Sequence, residues 1–90
     1  MDIGQAVAAM RAGNRVTRAG WNGKNMSLFY MPGYPDGVAA NVATASALGI
    51  PLGSPVIVRP YVSMRTVDGS IVPWLCSQSD LLADDWMVVA

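Results

Sequence analysis

Asp68 and Gly69 form a turn dipeptide between two apolar segments, residues 56–66 and 71–74. An Asp-Gly pair in this setting is the strongest short-range signal for a β-hairpin. The pattern therefore predicts one long strand over 56–66, which turns back into a partner strand over 71–74. The fold is thus expected to contain an antiparallel sheet.

The N-terminal residues have the pattern of a capped helix. Asp2 can accept bonds from the first free N–H groups, Gln5 follows as in a capping box, and Gly13 ends the pattern. Further strands are predicted at 14–18, 26–31 and 86–89, turns at 19–23 and 34–37, and helices at 38–48 and from Ser77 through Leu82 or Ala83. We predict an α+β fold: a small single domain over 1–90 with an antiparallel sheet, an N-terminal helix and short additional helices.

Charged side chains are scarce for a chain of this size. Apolar residues make up 52% of the 90 residues and charged residues 13%, whereas a charged share of about 25% is usual. Either small polar residues cover the surface or part of it is buried against other subunits, and we favour a homo-oligomer. The net charge is zero, which argues against DNA or RNA as a partner because those need a basic field.

Residue types that commonly carry catalysis are also scarce. The chain has no histidine and one cysteine, Cys76, so it lacks the commonest general base and cannot form an intrachain disulfide. Asp84 and Asp85 are adjacent, so their side chains point to different sides and are interpreted as solvated charges. No phosphate loop, dinucleotide motif or metal motif is present. We predict no enzyme activity and no cofactor.

The apolar segment at 38–58 is not a candidate membrane span. Two glycines and two prolines between 49 and 55 interrupt it, so it cannot cross a bilayer as one helix. Met1 is followed by Asp2 and an amphipathic pattern, which is not typical of a signal peptide. We therefore expect a cytoplasmic protein without a membrane partner.

Two tryptophans are candidates for binding a flat ligand. Trp21 and Asn22 lie between two glycines in a predicted turn, where Trp21 could stack on a purine-like ring while the Asn22 amide contacts its edge. Trp74 follows Pro73 where a strand meets a polar turn, and a pocket wall and a structural role are equally good interpretations. For Trp21 the alternative is that it covers one end of the core. Trp86 precedes three apolar residues and is interpreted as core.

Polar candidates surround these aromatic residues in sequence. Ser77, Gln78, Ser79 and Asp80 could bond ribose hydroxyls or a phosphate, although capping of the short helix alone explains Ser77 and Asp80 adequately and is the better interpretation for one of the two. Arg59 and Arg65 are six residues apart on the predicted 56–66 strand, and hence on one face. They could bracket an anionic group or simply keep that face of the sheet hydrated.

Three segments of the sequence have a distinctive order of residues. They are Asp-Ile-Gly-Gln-Ala-Val-Ala-Ala-Met-Arg-Ala-Gly at 2–13, Arg-Ala-Gly-Trp-Asn-Gly-Lys at 18–24, and Ile-Val-Pro-Trp-Leu-Cys-Ser-Gln-Ser-Asp-Leu-Leu-Ala-Asp-Asp-Trp at 71–86. These segments resemble a small phage and prophage protein family that includes the second type of Thoeris anti-defence protein. The resemblance covers nearly the whole chain, and segment 34–55 is its most individual part.

The resemblance implies a non-enzymatic sponge. Such a protein binds the cyclic ADP-ribose-type signal made by the TIR-domain enzyme of the Thoeris system in the host bacterial cytoplasm, so that the effector is not activated. It also implies a homo-oligomer, commonly a tetramer, with ligand sites at subunit interfaces. The motif positions that match are Trp21, Asn22, Trp74, Ser77, Gln78 and Asp80.

Three alternatives stay open at this point. Some relatives also take up cyclic oligonucleotide signals of other defence systems, so the signal itself is not fixed. The apolar surface would equally suit a small oligomeric phage module that binds a protein partner. A hydrolase or nucleotide-processing enzyme is the remaining alternative, although no spacing of residues selects it.

Overall fold

The computed structural model describes residues 1–21 and 25–89, and its chain divides into two compact units. One unit comprises Met1–Met31 and Val62–Ala90, and the other Pro32–Tyr61. The elements follow one another as α1 (Ile3–Arg11), β1 (Val16–Arg18), β2 (Ser27–Met31), β3 (Tyr34–Ala39), α2 (Val42–Leu48), β4 (Pro55–Val58), β5 (Tyr61–Arg65), β6 (Ile71–Pro73), α3 (Gln78–Leu81) and β7 (Trp86–Val88). The α+β prediction is confirmed.

Helix α1 forms where the capping pattern predicts it. The Asp2 carboxylate accepts a bond from the Gln5 backbone N–H at 2.8 Å, and the Gln5 side chain accepts one from the Asp2 N–H at 2.9 Å. This reciprocal pair is a capping box. At the other end Gly13 has a φ of 97°, a left-handed conformation that glycine adopts without steric cost. The predicted start and end of the helix are both confirmed.

The first unit is built around a five-stranded sheet with the strand order β6-β5-β2-β1-β7. Strand β1 pairs antiparallel with β2, where Val16 lies opposite Leu28, and with β7, where Arg18 lies opposite Trp86. Helix α1 covers one face of this sheet. The buried core consists of Ala6, Met10, Val16, Leu28 and Trp86. The prediction that Trp86 belongs to the core is confirmed, since only 2% of it is exposed.

The hairpin predicted from Asp68 and Gly69 is confirmed. Strands β5 and β6 pair antiparallel, with Arg65 opposite Ile71. Gly69 has a φ of 88°, and the Asp68 carboxylate accepts bonds inside the turn from the Thr66 hydroxyl at 2.6 Å and the Ser70 N–H at 2.9 Å. The turn is therefore closed by its own side chains as well as by the strand pairing.

The single long strand predicted over 56–66 is wrong. Strand β4 ends at Val58, and β5 begins at Tyr61, so the segment is two strands in two sheets. Pro60 lies in the break, and proline cannot donate the hydrogen bond that a continuous ladder needs. The apolar pattern alone did not separate the two strands.

The second unit pairs β3 with β4 and carries α2. The turn predicted at 34–37 is wrong, because these residues belong to β3. Gly37 has a φ of 98° within an irregular register between Tyr34 and Val38, so the glycine marks a bulge rather than a reversal of the chain. The helix predicted over 38–48 begins later, at Val42, because the Asn41 side chain caps it by accepting the Thr44 N–H at 2.9 Å.

Several large apolar side chains are exposed in the single chain, with Leu75 90% and Leu82 80% exposed. Within residues 1–21 and 25–89 no helix has the length and apolar character needed to cross a membrane. Whether the two units act together as one nucleotide-binding domain over 1–90 stays a prediction.

Candidate functional site

Three tryptophans form a cluster at one end of the first unit, which we call the tryptophan cluster (Trp21, Trp74 and Trp86). Trp86 is at its centre. Its ring meets that of Trp21 edge to face at a centroid distance of 5.3 Å, and that of Trp74 at 6.0 Å. Both distances are typical of T-shaped aromatic pairs. Since Trp86 is buried while the outer two rings are half-buried, only Trp21 and Trp74 can offer a surface to a ligand.

Asp80 ties this cluster to helix α3. Its Oδ1 atom accepts bonds from Arg18 Nη1 at 2.7 Å and from the Trp21 indole N–H at 3.0 Å. Its backbone carbonyl accepts the Trp86 indole N–H at 3.1 Å. The orientations of Trp21 and Trp86 are therefore both set by one residue. The Ser77 hydroxyl in turn accepts the Asp80 backbone N–H at 3.1 Å, which confirms that Ser77 caps the short helix.

Arg18 holds a second aspartate in the same network. Its Nε donates to Asp85 Oδ1 at 2.7 Å, and the Gly20 N–H donates to Asp85 Oδ2 at 2.8 Å. A Cβ atom on Gly20 would lie only 2.9 Å from that oxygen, so this close approach favours glycine. The prediction that Asp85 is a solvated charge is wrong, because adjacent aspartates diverge and only Asp84 is left exposed.

The network fixes the charges of its members. Partial burial acts to raise the pKa of Asp80, but the bonds from Arg18, Trp21 and Ser77 outweigh it and lower that pKa below the usual range. The bond from Arg18 lowers the pKa of Asp85 in the same way. Both carboxylates are therefore ionised at neutral pH and already accept hydrogen bonds. Neither is suited to act as a general acid.

Cys76 lies next to this network and is partly buried. Burial raises the pKa of its thiol, and the negative charge of Asp80 acts in the same direction. A raised pKa leaves little thiolate at neutral pH, so the cysteine is a poor nucleophile.

The structure brings four of the predicted ligand residues together: Trp21, Trp74, Ser77 and Asp80. The polar groups of Ser77 and Asp80 are engaged in capping and in the Arg18 network, so their contact with a ligand stays a prediction. Gln78 is exposed at the first position of α3. Asn22 lies outside the described residues.

Arg59 and Arg65 do not share a strand, although the sequence predicted that both lie on one strand. Arg59 follows the end of β4 in the second unit, whereas Arg65 is the last residue of β5 in the first. The prediction that they lie on one face of one strand is wrong, because the strand is interrupted at Pro60. Any role of either arginine in ligand binding stays a prediction.

Arg65 instead lines a concavity that the sequence did not indicate, which we call the arginine cavity. Its volume is about 450 Å³. Its polar lining includes Arg15, Thr17, Ser27, Arg65, Thr66 and Asp68. These residues come from three strands and a turn, so no single sequence motif contains them.

Comparison with known proteins assigns the family. A protein-family model described as a Thoeris anti-defense 2-like domain matches residues 1–89. The chain is also 34% identical over 93 residues to Thoeris anti-defense 2 of Bacillus phage SP01, and the match covers 100% of this chain and 96% of that protein. The resemblance predicted from three sequence segments is therefore confirmed. The chain belongs to the Thoeris anti-defense 2-like family, whose name denotes an anti-defense role and no catalysed reaction.

Proposed function

We propose that this protein is a non-enzymatic sponge that binds and sequesters a cyclic ADP-ribose-type signalling nucleotide, and so blocks Thoeris defence. Family membership supports the anti-defense role. The observation that carries the sequestering function is the tryptophan cluster, in which two half-buried rings pack against Trp86 and one of them, Trp21, is also hydrogen-bonded to Asp80.

Trp21 is the main proposed contact. Its indole N–H is bonded to Asp80 and its ring edge packs on Trp86, so little freedom of the side chain remains to be lost when a ligand binds. A base stacked on such a ring gains about 1–3 kcal/mol, which does not require a particular base. The site therefore supplies affinity through a preorganised aromatic surface.

Trp74 and Gln78 complete the proposed site. The Trp74 ring packs against Trp86, as the Trp21 ring does, so the two outer rings share one neighbour. Gln78 is exposed in the helix that Asp80 anchors, and its amide can both donate and accept bonds to ribose or base atoms. Nothing in this arrangement needs to break a bond in the ligand.

We propose that the functional form is a homo-oligomer, a tetramer in our preferred arrangement. Leu75 and Leu82 flank α3 and are 90% and 80% exposed in the single chain. Contact with another subunit would bury these two large aliphatic side chains, which lie close to the proposed site. A subunit interface beside the tryptophan cluster would also enclose the ligand.

The proposal is tested by calorimetric titration of the purified protein with a cyclic ADP-ribose-type nucleotide. Replacing Trp21 by alanine removes the stacking surface, so we expect affinity to fall by about 5- to 150-fold, as the loss of 1–3 kcal/mol requires. Trp21→Phe keeps an aromatic face while losing the bond to Asp80, and it should retain most of the affinity.

The two substitutions together separate binding from folding. Far-ultraviolet circular dichroism and thermal melting establish that each variant is folded before titration. Unchanged affinity in a folded Trp21→Ala protein would remove Trp21 from the site. Equal loss in both variants would assign the effect to the network around Asp80 instead of to stacking.

A further inference from the structure

The arginine cavity lies on the face of the sheet opposite helix α1. Val16 and Leu28 are opposite each other in β1 and β2 and belong to the core under the helix. Successive residues of a strand point to opposite faces, so Thr17 and Ser27 point away from that core. Both residues line the cavity, which is therefore separate from the packed side of the unit.

Two arginines in the cavity, Arg15 and Arg65, form no ion pair with the described residues. Among residues 1–21 and 25–89, Arg18 is the arginine that forms ion pairs, whereas neither Arg15 nor Arg65 has a carboxylate oxygen within 4.0 Å. The backbone of Arg15 is nonetheless held, because its carbonyl accepts the Val89 N–H at 2.9 Å. Arg15 immediately precedes β1 and Arg65 ends β5, and guanidinium groups are suited to binding a phosphate.

Ser27 adds a buried hydroxyl to the same lining. The residue is 3% exposed, and its Oγ atom has no hydrogen-bond partner among the described residues. Buried polar atoms in native proteins are nearly always bonded, so one without a partner calls for a specific explanation. A ligand with a polar group in this cavity would supply the missing bond.

Asp68 indicates a further property of the ligand, namely a group that donates a hydrogen bond. The bonds from the Thr66 hydroxyl and the Ser70 N–H both end on Oδ1, so Oδ2 keeps lone pairs that can accept a further donor. Hydrogen bonding by the Thr66 side chain, and by the side chain and backbone of Ser70, lowers the pKa of Asp68 to about 2, so the group is an acceptor at neutral pH. A negatively charged phosphate is repelled by this carboxylate, whereas a neutral sugar hydroxyl can donate a hydrogen bond to it.

We propose that the arginine cavity binds a phosphorylated sugar, with the phosphate held by Arg15 and Arg65 and the sugar hydroxyls bonded to Asp68 and Ser27. A volume of about 450 Å³ accommodates such a molecule. The cavity shares no residue with the tryptophan cluster, so this site is independent of the proposed sequestering site.

The test uses the full chain and three probes in calorimetric titrations: ribose 5-phosphate, ribose and inorganic phosphate. We expect ribose 5-phosphate to bind at least about tenfold more tightly than either fragment, because only it engages both the arginines and the carboxylate. No binding of ribose 5-phosphate would overturn the proposal. Equal binding of inorganic phosphate would overturn the assignment of a sugar.

Matched variants locate the binding. Arg65→Gln should weaken ribose 5-phosphate binding by at least about tenfold, since a charge-assisted bond is lost. Arg11→Gln removes an exposed arginine of α1 that is not in the cavity lining, and it should bind as the wild type does. Equal affinities of the two variants would contradict the location.

Ser27→Ala gives a readout that a purely structural role would not produce. Because the hydroxyl has no hydrogen-bond partner among the described residues, its removal should leave the melting temperature unchanged or raised while weakening ribose 5-phosphate binding severalfold. A lowered melting temperature together with unchanged binding would show that Ser27 serves the fold alone. Trp21→Ala should leave ribose 5-phosphate binding intact.

Discussion

The tryptophan cluster and the arginine cavity belong to the same compact unit but treat charge in opposite ways. At the cluster Arg18 pairs with both Asp80 and Asp85, and the indole N–H groups of Trp21 and Trp86 both donate to Asp80. In the cavity two arginines and a buried serine hydroxyl have no such partners among the described residues. Polar groups at the cluster therefore hold the site in shape, whereas the Arg15, Arg65 and Ser27 side chains of the cavity are not bonded to the described residues.

This difference assigns distinct kinds of affinity to the two regions. The cluster offers aromatic faces, whose attraction for a base depends weakly on salt. The cavity offers positive charge, whose attraction for a phosphate is screened as the ionic strength rises. Substitutions within the cluster should accordingly affect stability and binding together, and substitutions of Arg15 or Arg65 in the cavity should affect binding alone.

The largest effect is expected for Asp80→Asn. The substitution removes the negative charge of the carboxylate that accepts hydrogen bonds from Arg18 and Trp21. Loss of charge-assisted hydrogen bonds at a partly buried site costs about 1–3 kcal/mol. In a domain of this size that corresponds to a fall in melting temperature of about 4–8 °C for each kcal/mol. Thermal denaturation followed by circular dichroism measures it.

Asp84→Asn is the matched control for that prediction. The Asp84 side chain is exposed, and its carboxylate receives no hydrogen bond from the described residues. Its replacement should change stability by no more than about 0.5 kcal/mol. If Asp80→Asn were as harmless as Asp84→Asn, the contrast between an anchored cluster and an open cavity would be lost.

A smaller loss of stability is expected on acidification. It involves aspartates of both regions, Asp68 in the cavity and Asp80 and Asp85 at the cluster. Their pKa values are lowered in the folded protein, that of Asp68 from 3.8 to about 2. The unfolded chain therefore takes up protons first as the pH falls. The stabilisation is fully present above about pH 4 and is lost progressively between about pH 4 and 2.

Asp68→Asn should flatten part of this pH dependence. An asparagine side chain still offers an oxygen to Thr66 and Ser70, but it does not titrate, so urea midpoints should fall less between pH 4 and 2 than in the wild type. The remaining decline belongs to the cluster aspartates. The same decline in wild type and variant would mean that Asp68 contributes nothing to it.

Features set by neighbouring residues could be predicted from the sequence. The capping box of Asp2 and Gln5, the turn at Asp68 and Gly69, and the Ser77 cap each depend on bonds between residues at most four positions apart. The burial of Trp86 followed from the apolar residues after it. In each case the local chemistry and the tertiary structure favour the same conformation.

Features set by distant residues were missed. The segment at 34–37 has the composition of a turn, but its pairing with β4 makes it a strand with a bulge. Arg18 was not singled out because its partners Asp80 and Asp85 are 62 and 67 positions away. The arginine cavity likewise combines strands that are separate in sequence. Pro60 was a usable signal for the break between β4 and β5.

The proposed function requires that the protein bind the signalling nucleotide without converting it. The direct measurement is native mass spectrometry of the full chain with a cyclic ADP-ribose-type nucleotide, followed by denaturation and chromatography of the released ligand. We expect a complex whose mass reports an oligomer with bound nucleotide, and a released molecule identical in mass and retention time to the one added. Recovery of a hydrolysed or rearranged product that accumulates with time would contradict the account.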